Sequence, residues 1–319
     1  SKMLEAIRHR GRDDTGTYTD DNIAFGCDRL AIVDITGGHQ PAMNEDGTVC
    51  VVLNGEIYNH RELRAILQQN GHQFASLSDT EVVAHAYEEW GEKFAQKISG
   101  MFALAVWNVD TKTLTLTRDR VGVKPLFYFH AGRTFTFASE PKAILAAGLT
   151  GTLTVSRVAV TQLLEVGYFL APLSMFNEIR QIAPSSLLHY TDGTAITTTY
   201  WSPPTYNDAP PSIEAVKNAL RDSILRQTET SDVPVSAFLS GGLDTSTIVA
   251  FASKARPEGL RTFCMGFGEQ TDEFQDARIV AEMFGTDHHE LLIDASQAMR
   301  IFPKMVWHSE MPKVNLYSW

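Results

Sequence analysis

The chain has 319 residues, 44% of them hydrophobic and 20% charged, with a formal net charge of −11. That length accommodates two ordinary domains with sizeable cores, and the composition is that of a soluble globular protein. No apolar run is long enough to cross a bilayer, and the overall acidity argues against a general nucleic-acid binder. The three cysteines, Cys27, Cys50 and Cys264, are scattered and lack metal-ligand spacing. They read as small core residues in a reducing, cytoplasmic compartment.

The chain starts inside a helical pattern, Met3 to Arg8, with no charged-then-apolar leader. Short strands follow. Ala24 to Val33 and Val49 to Leu53 are rich in apolar and β-branched residues between turn signals. Asn59 is placed to cap a helix bearing Leu63, Ile66 and Leu67, ended by Gly71. Asp79 is placed to cap a second helix bearing Val82, Val83, Ala86 and Trp90. Two hairpins come next: Met101 to Val109 with Leu114 to Thr117, and Leu126 to Phe129 with Thr134 to Ala138. Residues 1–200 therefore predict a mixed α/β domain with much antiparallel sheet.

Residues 201–212, WSPPTYNDAPPS, hold four prolines and no apolar period, the mark of a linker. Beyond it the texture changes. A helix over Ile213 to Gln227 precedes a buried strand, Val233 to Leu239. Then come helix Thr245 to Ala255, strand Arg261 to Phe267, helix Glu273 to Phe284 and strand Glu290 to Ile293. Strands alternating with helices predict a doubly wound parallel sheet over residues 213–319.

The sharpest local signal is Ser240-Gly241-Gly242-Leu243-Asp244-Thr245-Ser246, between a strand and a helix. Glycines let the backbone approach an anion, and the helix N-terminus adds partial positive charge. The hydroxyls of Ser240, Thr245 and Ser246 are further donors. No Gly-Lys-Ser/Thr ending is present, so no lysine reaches a phosphate. Asp244 would repel a phosphate unless a cation lay between them, which calls for Mg²⁺. SGGLDTS resembles the loop of the ATP pyrophosphatase (PP-loop) group, which implies ATP cleavage between the α- and β-phosphates. The resemblance adds Phe238, Leu239 and Met265 to the ATP-binding residues. Asp287-His288-His289-Glu290 looks metal-like but enters a strand, where neighbours face opposite ways, and reads as solvated polar residues.

In the first domain, three segments end elements with polar side chains: Arg29 to Asp34, Asn54 to Asn59, and Ser78 to Glu81. Arg29 suits a carboxylate, Glu56 and Asp79 an ammonium, and Asn54 with the Gly55 N–H an oxyanion. Singly, each also fits a purely structural role as turn, surface pair or cap.

Together with RHRG at 8–11, GMFALAVW at 100–107 and TRDRVGVKPLFY at 117–128, these segments resemble the glutaminase domain of class II glutamine amidotransferases. With SGGLDTS behind them, the order is similar to that of the asparagine synthetase family. The resemblance implies an Ntn-type αββα sandwich for the first domain. It implies glutamine held by Arg29, Leu30, Ile32, Val33, Asn54, Gly55, Glu56 and Asp79, with Asn54 and Gly55 as the oxyanion hole. An N-terminal cysteine attacks the amide, and ammonia travels through an internal tunnel. MgATP adenylates aspartate, and ammonia displaces AMP to give asparagine. Members of the family are often homodimers.

Three departures stand out. The family's nucleophilic cysteine is expected upstream of Ser1, and Cys27 has no free amine to replace it. Gly11-Arg12-Asp13 stands where Gly-Pro-Asp is usual, which predicts a looser turn. The second acidic motif and the catalytic lysine are expected beyond Trp319, and Lys313 to Trp319 fits poorly. The chain by itself is expected to bind ligands without completing either half-reaction. Two other readings stay open: a β-lactam synthetase type of ligase with another acceptor, and a non-catalytic glutamine or nucleotide sensor.

Overall fold

The computed structural model describes residues 1–205, 210–256 and 258–311. They divide into two compact units near Pro204. Part of the linker, residues 206–209, and the tail from Lys313 to Trp319 lie outside the described residues.

The first unit runs α1 (Lys2–Ile7), β1 (Asp14–Thr19), β2 (Ala24–Arg29), β3 (Ala42–Met43), β4 (Val49–Ile57), α2 (His60–Gln69), α3 (Asp79–Trp90) and α4 (Phe94–Lys97). It continues β5 (Gly100–Asn108), β6 (Thr113–Arg118), β7 (Phe127–Ala131), β8 (Thr134–Ala138), α5 (Pro141–Ala147), α6 (Arg157–Val166), β9 (Ile179–Gln181), β10 (Ser186–Thr191) and β11 (Thr194–Thr199). Six strands form an antiparallel sheet in the order β11-β10-β6-β5-β4-β3. A second sheet has the order β8-β7-β9, and β1 pairs with β2 alone.

Period-two alternation along β4 and β5 gives the large sheet two apolar faces. Val51, Leu53, Phe102 and Leu104 pack against Leu67 of α2 and Val82 and Ala86 of α3. Cys50, Ala105, Trp107 and Leu116 face Phe25, Tyr128, Phe135 and Phe137. On the far side of the smaller sheet, Phe127, Phe129 and Ile179 meet Ile144 of α5 and Met3 and Ile7 of α1. The layers are therefore helix, sheet, sheet, helix, as expected. Each fully buried aliphatic side chain in these clusters contributes about 1.5–3 kcal/mol relative to exposure.

Two expected caps are corrected. Ser78, not Asp79, caps α3: its hydroxyl accepts from the Glu81 N–H at 3.2 Å. Asn59 makes no cap bond. Its side chain instead donates to the Lys97 carbonyl (2.9 Å) and accepts from the Ser99 N–H (2.8 Å), tying the end of β4 to the start of β5. Strand β4 also runs four residues past the expected Leu53, pairing with β5 as far as Ile57 opposite Gly100. The β2 strand stops at Arg29 rather than Val33. The turn at residues 11–13 is not loose: Asp13 donates its N–H to the Arg29 carbonyl (3.0 Å) and accepts from the Ala31 N–H (2.9 Å).

The second unit holds α7 (Ile213–Glu229), β12 (Ser236–Phe238), α8 (Leu243–Ala255), β13 (Arg261–Gly266), α9 (Phe274–Phe284), β14 (Asp287–Leu292) and α10 (Ala295–Ser309). Its three strands are parallel, in the order β12-β13-β14. Ile224 of α7, Val249 and Ala252 of α8, and Ala277 and Ala281 of α9 share one core with Leu239 and Cys264. These helices thus cover one face of the sheet. The other face displays Phe238, 83% exposed, and Leu291, 58% exposed.

Candidate functional site

In the first unit, hydrogen bonds draw the three polar segments together. The Ile57 N–H at the end of β4 donates to Asp79 Oδ2 (2.9 Å). The Leu77 N–H donates to Asp34 Oδ2 (2.8 Å), joining the loop after β2 to the approach of α3. Arg64 of α2 holds the same approach from behind, donating to the carbonyls of Ser76 (2.7 Å) and Ser78 (2.9 Å).

The direction of the β4 backbone groups follows from the ladder. Asp119 bonds both the N–H and the carbonyl of Phe102, so those groups point away from β4. Gly55, opposite Phe102, is therefore in a non-hydrogen-bonded pair, and its N–H points away from β5. Its neighbours at two-residue spacing agree: the Leu53 N–H meets Gln40 Oε1 (2.8 Å) and the Ile57 N–H meets Asp79. The Gly55 N–H lies between them on the same edge. Only glycine fits there, since φ is +141° and a Cβ would stand 1.9 Å from the Met101 carbonyl oxygen. The side chain of Asn54 turns toward Ser139, with Nδ2 at 3.4 Å from the hydroxyl.

Arg29 is buried and serves the loop that follows it. Nη2 donates to the carbonyls of Val33 (2.7 Å) and Asp34 (2.9 Å), and Nη1 to that of Ile35 (3.3 Å). With both Nη2 hydrogens committed, no edge of the guanidinium is a free two-pronged fork. Arg29 thus shapes the backbone of residues 32–35 more than it presents itself. Val33 is buried, Ile32 half-buried and Leu30 exposed.

Asp79 is the electrostatic centre of the cluster. Burial pushes its carboxyl up to about 6, against the pull of the Ile57 and Thr80 N–H groups and the positive charge of Arg29. A desolvated carboxylate is suited to an ammonium. Glu56 lies half-buried on the adjoining strand end.

Glu140, which the sequence pattern did not single out, gathers the basic segment at the chain start. Arg10 Nη1 donates to it at 2.7 Å, His9 Nε2 lies at 3.2 Å, and Lys142 bonds its other oxygen. Burial opposes its ionisation, but the hydrogen bonds from Lys142 and Arg10 outweigh it and hold the carboxyl below the usual range. Cys27 and Cys50 are buried, and burial pushes both thiols up to about 12. Neither is a thiolate nucleophile near neutral pH.

In the second unit, the glycine loop joins β12 to α8 at the C-terminal edge of the sheet, the edge that Met265 and Gly266 of β13 reach. Ser240 and Thr245 brace it: Thr245 Oγ1 lies 3.2 Å from the Ser240 N–H and 3.1 Å from its hydroxyl. The two glycines differ. Gly241 (φ +78°) is a packing glycine, since a Cβ would come within 2.4 Å of Asp276 Cβ on α9. Gly242 has φ −68° and meets only the Ser240 hydroxyl within 4 Å. The protein itself does not require glycine at 242, but close approach of an anion to the start of α8 would. Gly242 is the N-cap of α8 and makes no side-chain cap bond. Asp244 is exposed, and Ser246 Oγ is buried with no hydrogen-bond partner among the described residues. Phe238 projects from the open sheet face, while Leu239 is buried and donates its N–H to the Phe263 carbonyl (2.8 Å). Asp287 to Glu290 divide between the sheet faces: on one, Glu290 takes a two-pronged bond from Arg278 (2.7 and 2.6 Å) and His288 bonds Thr262 (2.9 Å), and on the other His289 Nε2 lies 3.2 Å from Asp287 Oδ2.

Residues 1–201 match the family model described as glutamine amidotransferase domain, and the chain belongs to that family. Residues 215–317 match the model described as asparagine synthase. The chain is 34% identical over 316 residues to asparagine synthetase [glutamine-hydrolyzing] 1 of Bacillus subtilis (strain 168), covering 98% of this chain and 49% of that one. It is 34% identical over 335 residues to asparagine synthetase [glutamine-hydrolyzing] 3 of the same organism, covering 98% and 54%. Against asparagine synthetase [glutamine-hydrolyzing] 2 of Arabidopsis thaliana the figure is 32% over 323 residues, covering 97% and 50%. The chain thus spans about half the length of these curated relatives. No helix among the described residues is long and apolar enough to cross a membrane.

Proposed function

We propose that the chain carries the glutamine-binding and ATP-binding parts of an enzyme that makes asparagine from aspartate, with glutamine as nitrogen donor. The observation that carries this reading is the edge of β4. There the Gly55 N–H lies two residues from the Ile57 N–H, which bonds Asp79. A main-chain donor beside a desolvated carboxylate matches what a glutamine needs at its two ends: a partner for the developing oxyanion of the side-chain amide and a partner for the α-ammonium. The loop shaped by Arg29 offers backbone groups for the α-carboxylate, and Glu56 and Asn54 complete the set. The nucleophile is not Cys27, Cys50 or Cys264, all buried. It is the amine-activated terminal cysteine of the family.

In the second unit, the start of α8 takes the phosphates of ATP, with Ser240, Thr245 and Ser246 as donors. Asp244 holds Mg²⁺ against the departing pyrophosphate, and Phe238 and Met265 flank the adenine. Aspartate is adenylated, ammonia displaces AMP, and AMP, pyrophosphate and glutamate leave. On the same analogy the whole protein works as a homodimer in the cytoplasm, a compartment that suits three free thiols.

Calorimetric titration of the 319-residue chain tests this directly. Glutamine binding that vanishes in Asp79→Asn, with MgATP binding kept there and lost in Asp244→Ala, supports the reading. A parent chain that takes up neither ligand overturns it.

A further inference from the structure

On the helical side of the first unit, three chain segments bring four ligand groups to one point. Glu45 comes from the β3–β4 turn, His72 from the loop after α2, and His85 and Glu88 from successive turns of α3. The facing atoms are two imidazole Nδ1 nitrogens and two carboxylate oxygens, all within 4.8 Å of one another. The Nδ1 atoms of His72 and His85 are 3.3 Å apart. His85 Nδ1 lies 2.8 Å from Glu45 Oε2 and 4.0 Å from Glu88 Oε2. His72 Nδ1 lies 3.5 Å from Glu45 Oε1 and 3.6 Å from Glu88 Oε2. A tetrahedral zinc ion with bonds of about 2.0–2.1 Å sets its ligands about 3.3–3.4 Å apart. The observed separations bracket that value.

The back of one ring is equipped in the same sense: His72 Nε2 faces Glu89 Oε2 at 3.2 Å. The fully buried His85 has Nε2 3.7 Å from Glu81 Oε1, too far for a hydrogen bond. A carboxylate behind an imidazole favours the proton on Nε2 and leaves the Nδ1 lone pair forward. Two Nδ1 atoms and two carboxylates then converge, an arrangement that a bound cation would satisfy. Glu88 is steadied by Asn44 Nδ2 (2.9 Å), and Glu45 by the Gln73 N–H (3.2 Å).

We propose that Glu45, His72, His85 and Glu88 form a divalent-cation site of the zinc class. Its ligand set of two nitrogens and two oxygens suits zinc better than calcium or magnesium, which take oxygen cages. All four positions are filled by protein, which makes the site structural rather than catalytic. Its effect is to pin the segment after α2 to α3. That segment continues into Leu77 and Ser78, which hold Asp34 and cap α3.

The test is metal titration of the whole chain after chelator treatment, with Zn²⁺ alone and then Co²⁺ alone. His85 is fully buried, so its removal risks the fold; Glu45→Gln and His72→Gln change partly exposed positions instead. The expected result is one Zn²⁺ per chain, a melting temperature raised by the metal, and the strong visible absorption of tetrahedral Co²⁺. In either variant the Zn²⁺ affinity falls on the order of 100-fold. Equal Zn²⁺ affinity in parent and variants, or no Zn²⁺ uptake at neutral pH, overturns the site.

Discussion

Replacing Asp79 by asparagine separates the charge of this residue from its shape. In the free protein, burial raises the Asp79 carboxyl from 3.8 to about 6. The folded state therefore holds its proton more tightly than the unfolded state does. The sign follows: between the two values the folded state binds more protons, so stability falls as pH rises and levels off above about 6. A carboxyl raised that far, at about 1.4 kcal/mol per pH unit, carries a penalty of about 3 kcal/mol in its ionised form near neutral pH. Roughly 1–2 kcal/mol of this is regained on going from about pH 7.5 down to about pH 5. Asparagine has no such dependence. Its amide nitrogen adds a pH-independent offset of about 1–3 kcal/mol if it finds no acceptor. The informative quantity is thus the change with pH of the stability difference between variant and parent. Urea unfolding of both proteins across that window should show the variant gaining roughly 1–2 kcal/mol on the parent as pH rises. The same variant should lose glutamine binding, because the ammonium that offsets the buried charge has no partner. In the parent, glutamine affinity should fall about tenfold per pH unit below about 6. Parallel pH profiles for the two proteins, or glutamine held equally well by the variant, would refute this account.

The remaining expectations concern single residues. Gly55→Ala forces a Cβ onto the Met101 carbonyl at a positive φ and should cost about 3 kcal/mol or more in thermal unfolding; a loss under about 1 kcal/mol would mean that β4 can shift. Ser78→Ala removes the cap of α3 and should cost about 1 kcal/mol, read from the same melts. In a protein of the relatives' full length, Asp244→Ala should abolish pyrophosphate release while glutamine hydrolysis continues, and equal loss of both would count against separate sites. Gly241→Ala, which drives a Cβ into Asp276, should disturb the loop and weaken MgATP binding measured by calorimetry.

The sequence carried the parts of the fold that local pattern decides. The hairpin from β5 to β6 and the loop and helix after Ser240 were legible because turn residues and apolar periodicity sit within a few positions of each other, whereas the buried strand expected over Val233 to Leu239 is only Ser236–Phe238, with Phe238 exposed. What failed depended on partners far along the chain. Asn59 has the chemistry of a cap, but Lys97 and Ser99 claim its side chain. Ser78 and Asp79 are both able to cap, and the Ile57 N–H decides between them by engaging Asp79. Asn54-Gly55-Glu56 looks like a turn, yet β5 pairs with it and keeps it extended. The residues proposed for the glutamine site were visible as a set only through their resemblance to a family. That the carbonyls of residues 33–35 fold back onto Arg29 is something nothing local to Arg29 reveals. The His85-x-x-Glu88 spacing was present in the sequence, but Glu45 and His72 join it only once three segments have packed.

The Gly55 amide has no side chain that could be altered to remove it. Its aim is inherited from the pairing of two strands, so a slip of one residue between β4 and β5 would turn it inward and bring its neighbour's amide out instead. The tight approach of Gly55 to Met101 therefore acts as a register mark, and the reactivity of this edge is as durable as the sheet that carries it.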